Sequence, residues 1–139
     1  MTIKIVTDSS IQLTADERAK YDIHIVPLTI QQGNESFIDG QTITRAEFLS
    51  RLQNATTDFP TTSQPTVGSF VDLYDQLGAD GSTILSIHCT GLLSGTIEGA
   101  HTAAHQSTSD VHVIDSKAID RGLAYQVVAA AQDVEAGKP

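Results

Sequence analysis

The sequence predicts an α/β fold, a largely parallel sheet flanked by helices in a three-layer-like sandwich. Short β-branched runs alternate with helix-forming stretches from one end to the other, and no internal repeat or low-complexity tract interrupts the alternation. Strands and helices in that order imply right-handed βαβ crossovers. The 139 residues make one domain, 1–139, long enough to bury roughly two-thirds of the unfolded surface around a single core.

Each element follows from local chemistry. Ile3 to Val6 is a β-branched run closed by Asp8-Ser9-Ser10, and Thr14 to Lys20 offers an N-cap and a helix. Ile23 to Ile30 is the next β-rich run. The turn signal from Gln31 to Ser36 then leads into Phe37-Ile38 and Asp39-Gly40, which fits a hairpin or β-meander. Thr44-Arg45-Ala46-Glu47 has a capping-box pattern and opens a helix carrying Phe48, Leu49 and Leu52. Asn54 to Pro65, polar and Pro-bounded, is expected to be an ordered surface loop. Val67, Phe70, Val71, Tyr74 and Leu77 stand at helical spacing, and Gly78-Ala79-Asp80-Gly81 breaks the chain before a strand from Thr83 to Ile87. A helix from Ser94 to His105, a strand from Val111 to Ile114 and an Ala-rich helix from Leu123 to Val134 complete the order.

Composition excludes several function classes. The net charge of −9 removes the attraction that nucleic acid or an anionic membrane surface requires. No apolar run approaches the roughly 18 to 20 residues that span a bilayer, so no stable membrane insertion is expected. The first residues run straight into a strand pattern instead of a signal-peptide core, and a cytoplasmic location is expected. A lone cysteine, Cys89, can neither close an internal disulfide nor build a cysteine-based zinc site, and it reads as a semi-buried core thiol.

Ligands of parallel sheets bind at the carboxyl ends of strands. That places Asp8-Ser9-Ser10, His88 to Thr96 and Asp115-Ser116 on one edge, and the Thr61-Thr62-Ser63 loop can join them. Within His88 to Thr96 a strand end, a glycine-bearing loop and a helix start converge. Ser94, Gly95 and Thr96 would offer backbone and hydroxyl donors to an anion seated on the helix N-terminus, unless Ser94 is an ordinary N-cap. The loop lacks the Lys of a P-loop and does not match G-x-G-x-x-G, so nucleotide phosphates are poor candidates. Thr61-Thr62-Ser63-Gln64-Pro65 is either a capping loop for the next helix or a second set of hydroxyl donors facing Ser94. Such neutral donors suit a mono-anion. Asp8 and Asp115 can serve as acids or receive loop N–H groups.

Two catalytic alternatives weigh less. Gly91-Leu92-Leu93-Ser94-Gly95 carries one residue too many for the G-x-S-x-G elbow, and His88 precedes Ser94 where the α/β-hydrolase order places it later. A serine esterase using Ser94, a nearby His and Asp115 is the alternative to binding. His101 and His105 stand at i, i+4 with Glu98 one turn earlier, but no third ligand follows, and exposed helical histidines are the simpler account. No metal is expected.

These motifs together resemble the amino-terminal part of the DegV family, fatty-acid-binding proteins that serve as the acyl-carrier subunit of a two-component bacterial fatty acid kinase. The matching pieces are Thr7-Asp8-Ser9-Ser10, Phe37-Ile38-Asp39-Gly40, Thr61-Thr62-Ser63-Gln64-Pro65, Leu93-Ser94-Gly95-Thr96 and Val113-Ile114-Asp115-Ser116, in order. They span nearly all of the sequence, whereas family members are about twice as long. The resemblance implies a long-chain fatty acid as ligand, its carboxylate held by Thr62, Ser63, Ser94 and Gly95. Asp8, Ser9, Thr61, Thr96, Asp115 and Ser116 would support them. It implies an apolar tunnel for the acyl tail, no catalysis by the protein itself, no cofactor, and a separate ATP-dependent kinase catalytic subunit as partner. Burying the tail would contribute roughly 0.8 kcal/mol per CH₂, so the tail gives affinity and the polar end orientation. The family's second domain has no counterpart in these residues. That favours an exposed apolar wall and oligomerisation, or a folded unit that has lost lipid binding.

Overall fold

The structure, a computed structural model, describes residues 2–139. Its main sheet holds four parallel strands in the order β2-β1-β6-β7. These are β1 (Ile3–Asp8), β2 (Ile23–Val26), β6 (Thr83–His88) and β7 (Val111–Asp115). The order follows from three crossovers through α1 (Ala15–Lys20), α3 (Val67–Gly78) and α4 (Thr96–Gln106), with α5 (Asp120–Glu135) closing the chain. Strand alternation sends successive side chains to opposite faces. Ile5 and Ile87 therefore pack with Leu123, Ala124, Val127 and Ala131 of α5, whereas Val6 and Ile84 pack with Phe70, Tyr74 and Leu77 of α3 and Ala100 and Ala103 of α4. The sheet is thus the middle of three layers, as expected.

Helix starts are specified locally. Thr14 and Thr44 each accept the N–H of the glutamate three residues on, and each glutamate reaches back to the threonine N–H, completing capping boxes for α1 and α2 (Arg45–Asn54). Thr66 caps α3, its hydroxyl oxygen accepting Ser69 N–H at 3.1 Å. The hydroxyls of Thr61, Thr62 and Ser63 take no part in that cap.

Two expectations are corrected. The run from Ile23 to Ile30 is not one strand. Pro27 lacks an N–H for a ladder, and beyond it β3 (Thr29–Gln32) leaves the main sheet and pairs with β4 (Glu35–Ile38) as an antiparallel hairpin. Gly33, at φ +57°, occupies the first position of the two-residue turn, where left-handed backbone is required. Asn54 to Pro65 is not wholly loop either. Thr61–Ser63 forms β5, which pairs antiparallel with β3 and makes a second, three-stranded sheet.

Candidate functional site

A cavity of about 640 Å³ opens between the two sheets and α2. Ile11, Ile25, Ile30, Phe48, Leu49 and Ile119 give it apolar walls. Ser9, Ser10 and Thr62 bring hydroxyl-bearing residues to it, and Arg18, Asp39, Arg45 and Asp120 bring charges. Thr62 reaches the cavity because it lies opposite Ile30 in the β3–β5 ladder, and both residues line the space. Its neighbours Thr61 and Ser63 alternate away from it.

The second half of the predicted donor set sits on the β6–α4 loop. Here α4 begins at Thr96 with Gly95 as N-cap and without a side-chain cap. Ser94 Oγ accepts Thr96 N–H at 3.1 Å and pairs with Thr96 Oγ1 at 2.8 Å. The two halves meet at Gln64, which lies so close to Gly95 that a Cβ there would overlap its side-chain amide. Ser63, Ser94 and Gly95 do not themselves border the cavity; of the predicted residues the structure brings Thr62 and Ser9 to it directly, and Ser10 beside them.

Beneath this edge is a buried polar chain. Asp8 and His88 end adjacent parallel strands, and both are 0% exposed. Asp8 Oδ2 accepts from His88 Nδ1 (2.9 Å) and Cys89 N–H (3.1 Å), while Oδ1 accepts Ser10 N–H (3.0 Å) and the Ser10 hydroxyl. His88 Nε2 pairs with Ser86 Oγ at 2.6 Å, and Ser86 Oγ with Tyr74 Oη at 2.7 Å. Burial pushes the Asp8 carboxyl up, but the His88, Ser10 and Cys89 donors outweigh it and hold the group below its ordinary range. Burial also pushes Tyr74 up to about 12, against the Ser86 hydrogen bond. Burial and the Asp8 charge raise the Cys89 thiol, against the hydroxyls of Ser10 and Ser94 beside it. Cys89 is a neutral, 1% exposed thiol and a poor nucleophile.

Asp8, His88 and Ser86 reproduce the connectivity of a catalytic triad, but every member is sealed in the core. With both ring nitrogens engaged, His88 has none for Ser94. Asp115 receives loop N–H groups, from Gly91 at 3.2 Å and Lys117 at 2.8 Å, and serves neither as an orienting acid nor as a free base. Ser116 closes the same loop, its hydroxyl accepting Ala118 N–H. Ser9 Oγ accepts Leu28 N–H at 2.9 Å and so joins the end of β1 to the chain leaving β2. His101 and His105 are exposed on α4, and no group of three or more His, Cys, Asp or Glu among the described residues could hold a metal. No helix there is long and apolar enough to cross a membrane.

Sequence reasoning did not identify the cavity wall or its two arginines. Arg18 lies on α1 and Arg45 on α2, helices that the fold brings to one cavity. Arg45 stands 3.8 Å from Asp120, whose own backbone is left-handed at φ +58°.

Residues 2–139 match the family described as "Uncharacterised protein, DegV family". A DegV domain-containing protein of Streptococcus pneumoniae is 42% identical over 136 residues, covering 98% of this chain and 48% of the relative. One from Listeria innocua is 41% identical over 135 residues, with 97% and 48% covered. The chain thus spans about half the length of the curated relatives it matches. Among solved structures, a fatty-acid-binding DegV family protein of Thermus thermophilus superposes with TM-score 0.89 at 32% identity, over all of this chain and 49% of that one. A stearic-acid-binding protein of Eubacterium ventriosum gives 0.92 at 30%, with the same coverage. DegV of Bacillus subtilis, a fatty-acid-binding protein, gives 0.91 at 29%, over 99% and 49%.

Proposed function

The chain belongs to the DegV family, and from that premise we propose that it binds a long-chain fatty acid by its carboxylate and presents it to a separate kinase for phosphorylation. The observation that carries this is the cavity of about 640 Å³ whose walls are aliphatic and aromatic and whose border includes Thr62. Its size falls within the roughly 300 to 1,000 Å³ of small-molecule sites, and Ile11, Ile25, Ile30, Phe48, Leu49 and Ile119 give it an apolar wall for a tail beside hydroxyl and charged residues.

In this reading the acyl tail lies along Ile11, Ile25, Ile30 and Phe48. The carboxylate is turned toward Thr62, Ser94 and the backbone N–H of Gly95; Ser63, on the opposite side of β5, joins Ser9, Ser10, Thr61, Thr96, Asp8, Asp115 and Ser116 in shaping the surrounding loops. Neutral hydroxyl and amide donors hold a carboxylate while leaving one oxygen reactive. The kinase transfers a phosphoryl group from ATP to that oxygen, giving an acyl phosphate and ADP. The protein itself supplies position and no bond-making group. The engagement of His88 by Asp8 and Ser86 supports binding over hydrolysis, because an activated Ser94 requires a base within hydrogen-bond reach.

The test is titration of the purified chain with oleate, alongside the Thr62→Val and Ser94→Ala variants and the double variant. Each hydrogen bond to a charged carboxylate contributes about 1.5 to 3 kcal/mol, so either change should weaken binding by roughly tenfold or more and the double variant should bind barely at all. Unchanged affinity in the double variant would remove the proposed carboxylate site. Covalent labelling of Ser94 by a fluorophosphonate would instead favour an esterase.

A further inference from the structure

Asp8 makes four contacts that go in two directions. Toward the cavity it takes the N–H and hydroxyl of Ser10, a lining residue. Toward α4 it takes the N–H of Cys89, the first residue of the loop that ends in Ser94 and Gly95, and the Nδ1 of His88 immediately before it. One carboxylate with no access to solvent therefore ties the end of β1 to the end of β6, at the edge where the candidate donors stand. His88 is fixed in turn by Ser86 on Nε2, and the edge of one ring meets the face of the other where it packs on Phe70, with centroids 5.2 Å apart.

A buried ionisable pair is a weak source of stability, since apolar residues of similar volume often do as well or better. Here its contacts join the ends of two strands through one carboxylate. We propose that Asp8 is a positioning residue for ligand binding. Held by His88, it sets the distance between the Ser10 wall of the cavity and the loop bearing Ser94 and Gly95, and so the seat of the ligand's carboxylate. The inference rests on the fatty-acid reading above for what is seated. The geometric claim concerns this chain's own residues.

Asp8→Asn keeps the shape but replaces one acceptor oxygen with an N–H₂ group, which must face either the Ser10 donors or those of His88 and Cys89. His88→Asn places an amide donor near the position of Nδ1 and so keeps the Asp8 contact, whereas His88→Leu removes it. Ile84→Val, at the far end of β6 and 0% exposed, serves as a control that costs about 0.5 to 1.5 kcal/mol of stability without touching this edge. The experiment measures oleate affinity and residue-resolved amide hydrogen exchange of the ligand-free proteins, both well below each variant's melting temperature.

The expected result is about tenfold weaker oleate binding in Asp8→Asn, with exchange accelerated at Ser10 and from Cys89 to Ser94. His88→Leu should behave alike. His88→Asn should recover most of the affinity, and Ile84→Val should bind as wild type does. Wild-type affinity and loop protection in Asp8→Asn, or an equal loss in Ile84→Val, would overturn the proposal. If the unmodified chain takes up no oleate, the fatty-acid reading fails. Exchange then decides the positioning role alone: loosening confined to Ser10 and the 89–94 loop sustains it, and uniform or absent loosening overturns it.

Discussion

The side-chain amide of Gln64 rests against Gly95 so closely that any residue with a Cβ at position 95 would collide with it. This contact closes the segment after β5 onto the N-terminus of α4. The obstructing atoms are the far end of a flexible side chain, so Gly95→Ala can be accommodated by swinging Gln64 away. The variant should fold with little loss of stability yet bind oleate several-fold more weakly, the order expected for a disturbed polar contact of about 1 kcal/mol. Adding Gln64→Ala removes the collision. A double-mutant cycle on oleate affinity should therefore give a double variant weakened by less than the sum of the two single changes. Strict additivity would show that Gln64 and Gly95 are not coupled.

Arg121 at the start of α5 grips Glu17 of α1 with both terminal nitrogens, at 2.6 and 2.7 Å. The Arg121 hydrogen bonds, aided by the Thr14 capping box, lower the Glu17 pKa from 4.5 to about 2. A depressed carboxylate contributes stability that is present above its unfolded pKa and lost as pH falls through the folded one. The difference in melting temperature between wild type and Glu17→Gln should hold constant above pH 5 and shrink between pH 4.5 and about 2. A constant difference across that window would mean the pair is not formed in solution.

Tyr74 predicts the opposite limb. Burial raises its hydroxyl from 10 to about 12, so the folded state favours the protonated form. The associated stability is complete below pH 10 and disappears as pH rises toward 12. Tyr74→Phe, which loses the Ser86 contact, should be less stable at neutral pH and should fall less steeply than wild type in melts above pH 10. Parallel curves would indicate that Tyr74 ionises as freely folded as unfolded.

Much of this architecture is legible in the sequence because it is written locally. Thr14 and Thr44 announce their helices through a glutamate three residues on, and Phe70, Tyr74 and Leu77 give the spacing that faces the sheet. The same holds for Asp115 as a loop organiser, with an amide two residues beyond it in reach. Where the outcome depends on sequence-distant packing, the pattern is silent. The short polar run Thr61-Thr62-Ser63 becomes a strand only because β3 turns away from the main sheet to meet it. Asp8 and His88 are 80 residues apart, and only the neighbouring of β1 and β6 makes them partners. Nothing in His88's own surroundings distinguishes a sealed imidazole from a base. The cavity likewise needs α2, β3 and the start of α5 together, none of which signals the others.

The β5 strand separates two residues that the motif alone treats alike. Thr62 stands opposite Ile30, and both border the cavity. Ser63, one residue further and paired with Thr29, points to the other side of the strand, as side-chain alternation requires. Both are isolated hydroxyls on an exposed edge, so neither substitution should disturb the fold by more than about 0.5 kcal/mol. Thr62→Val preserves shape and β preference while removing the donor. Oleate affinity should drop by roughly tenfold or more, the equivalent of a charge-assisted hydrogen bond of about 1.5 kcal/mol or above. Ser63→Ala should leave affinity within about twofold. Equal losses at both positions would mean that the carboxylate approaches the strand from its edge, where backbone groups and both hydroxyls are in reach, and not from the cavity face. Titrating the two variants in parallel therefore fixes the side of β5 on which the head group sits.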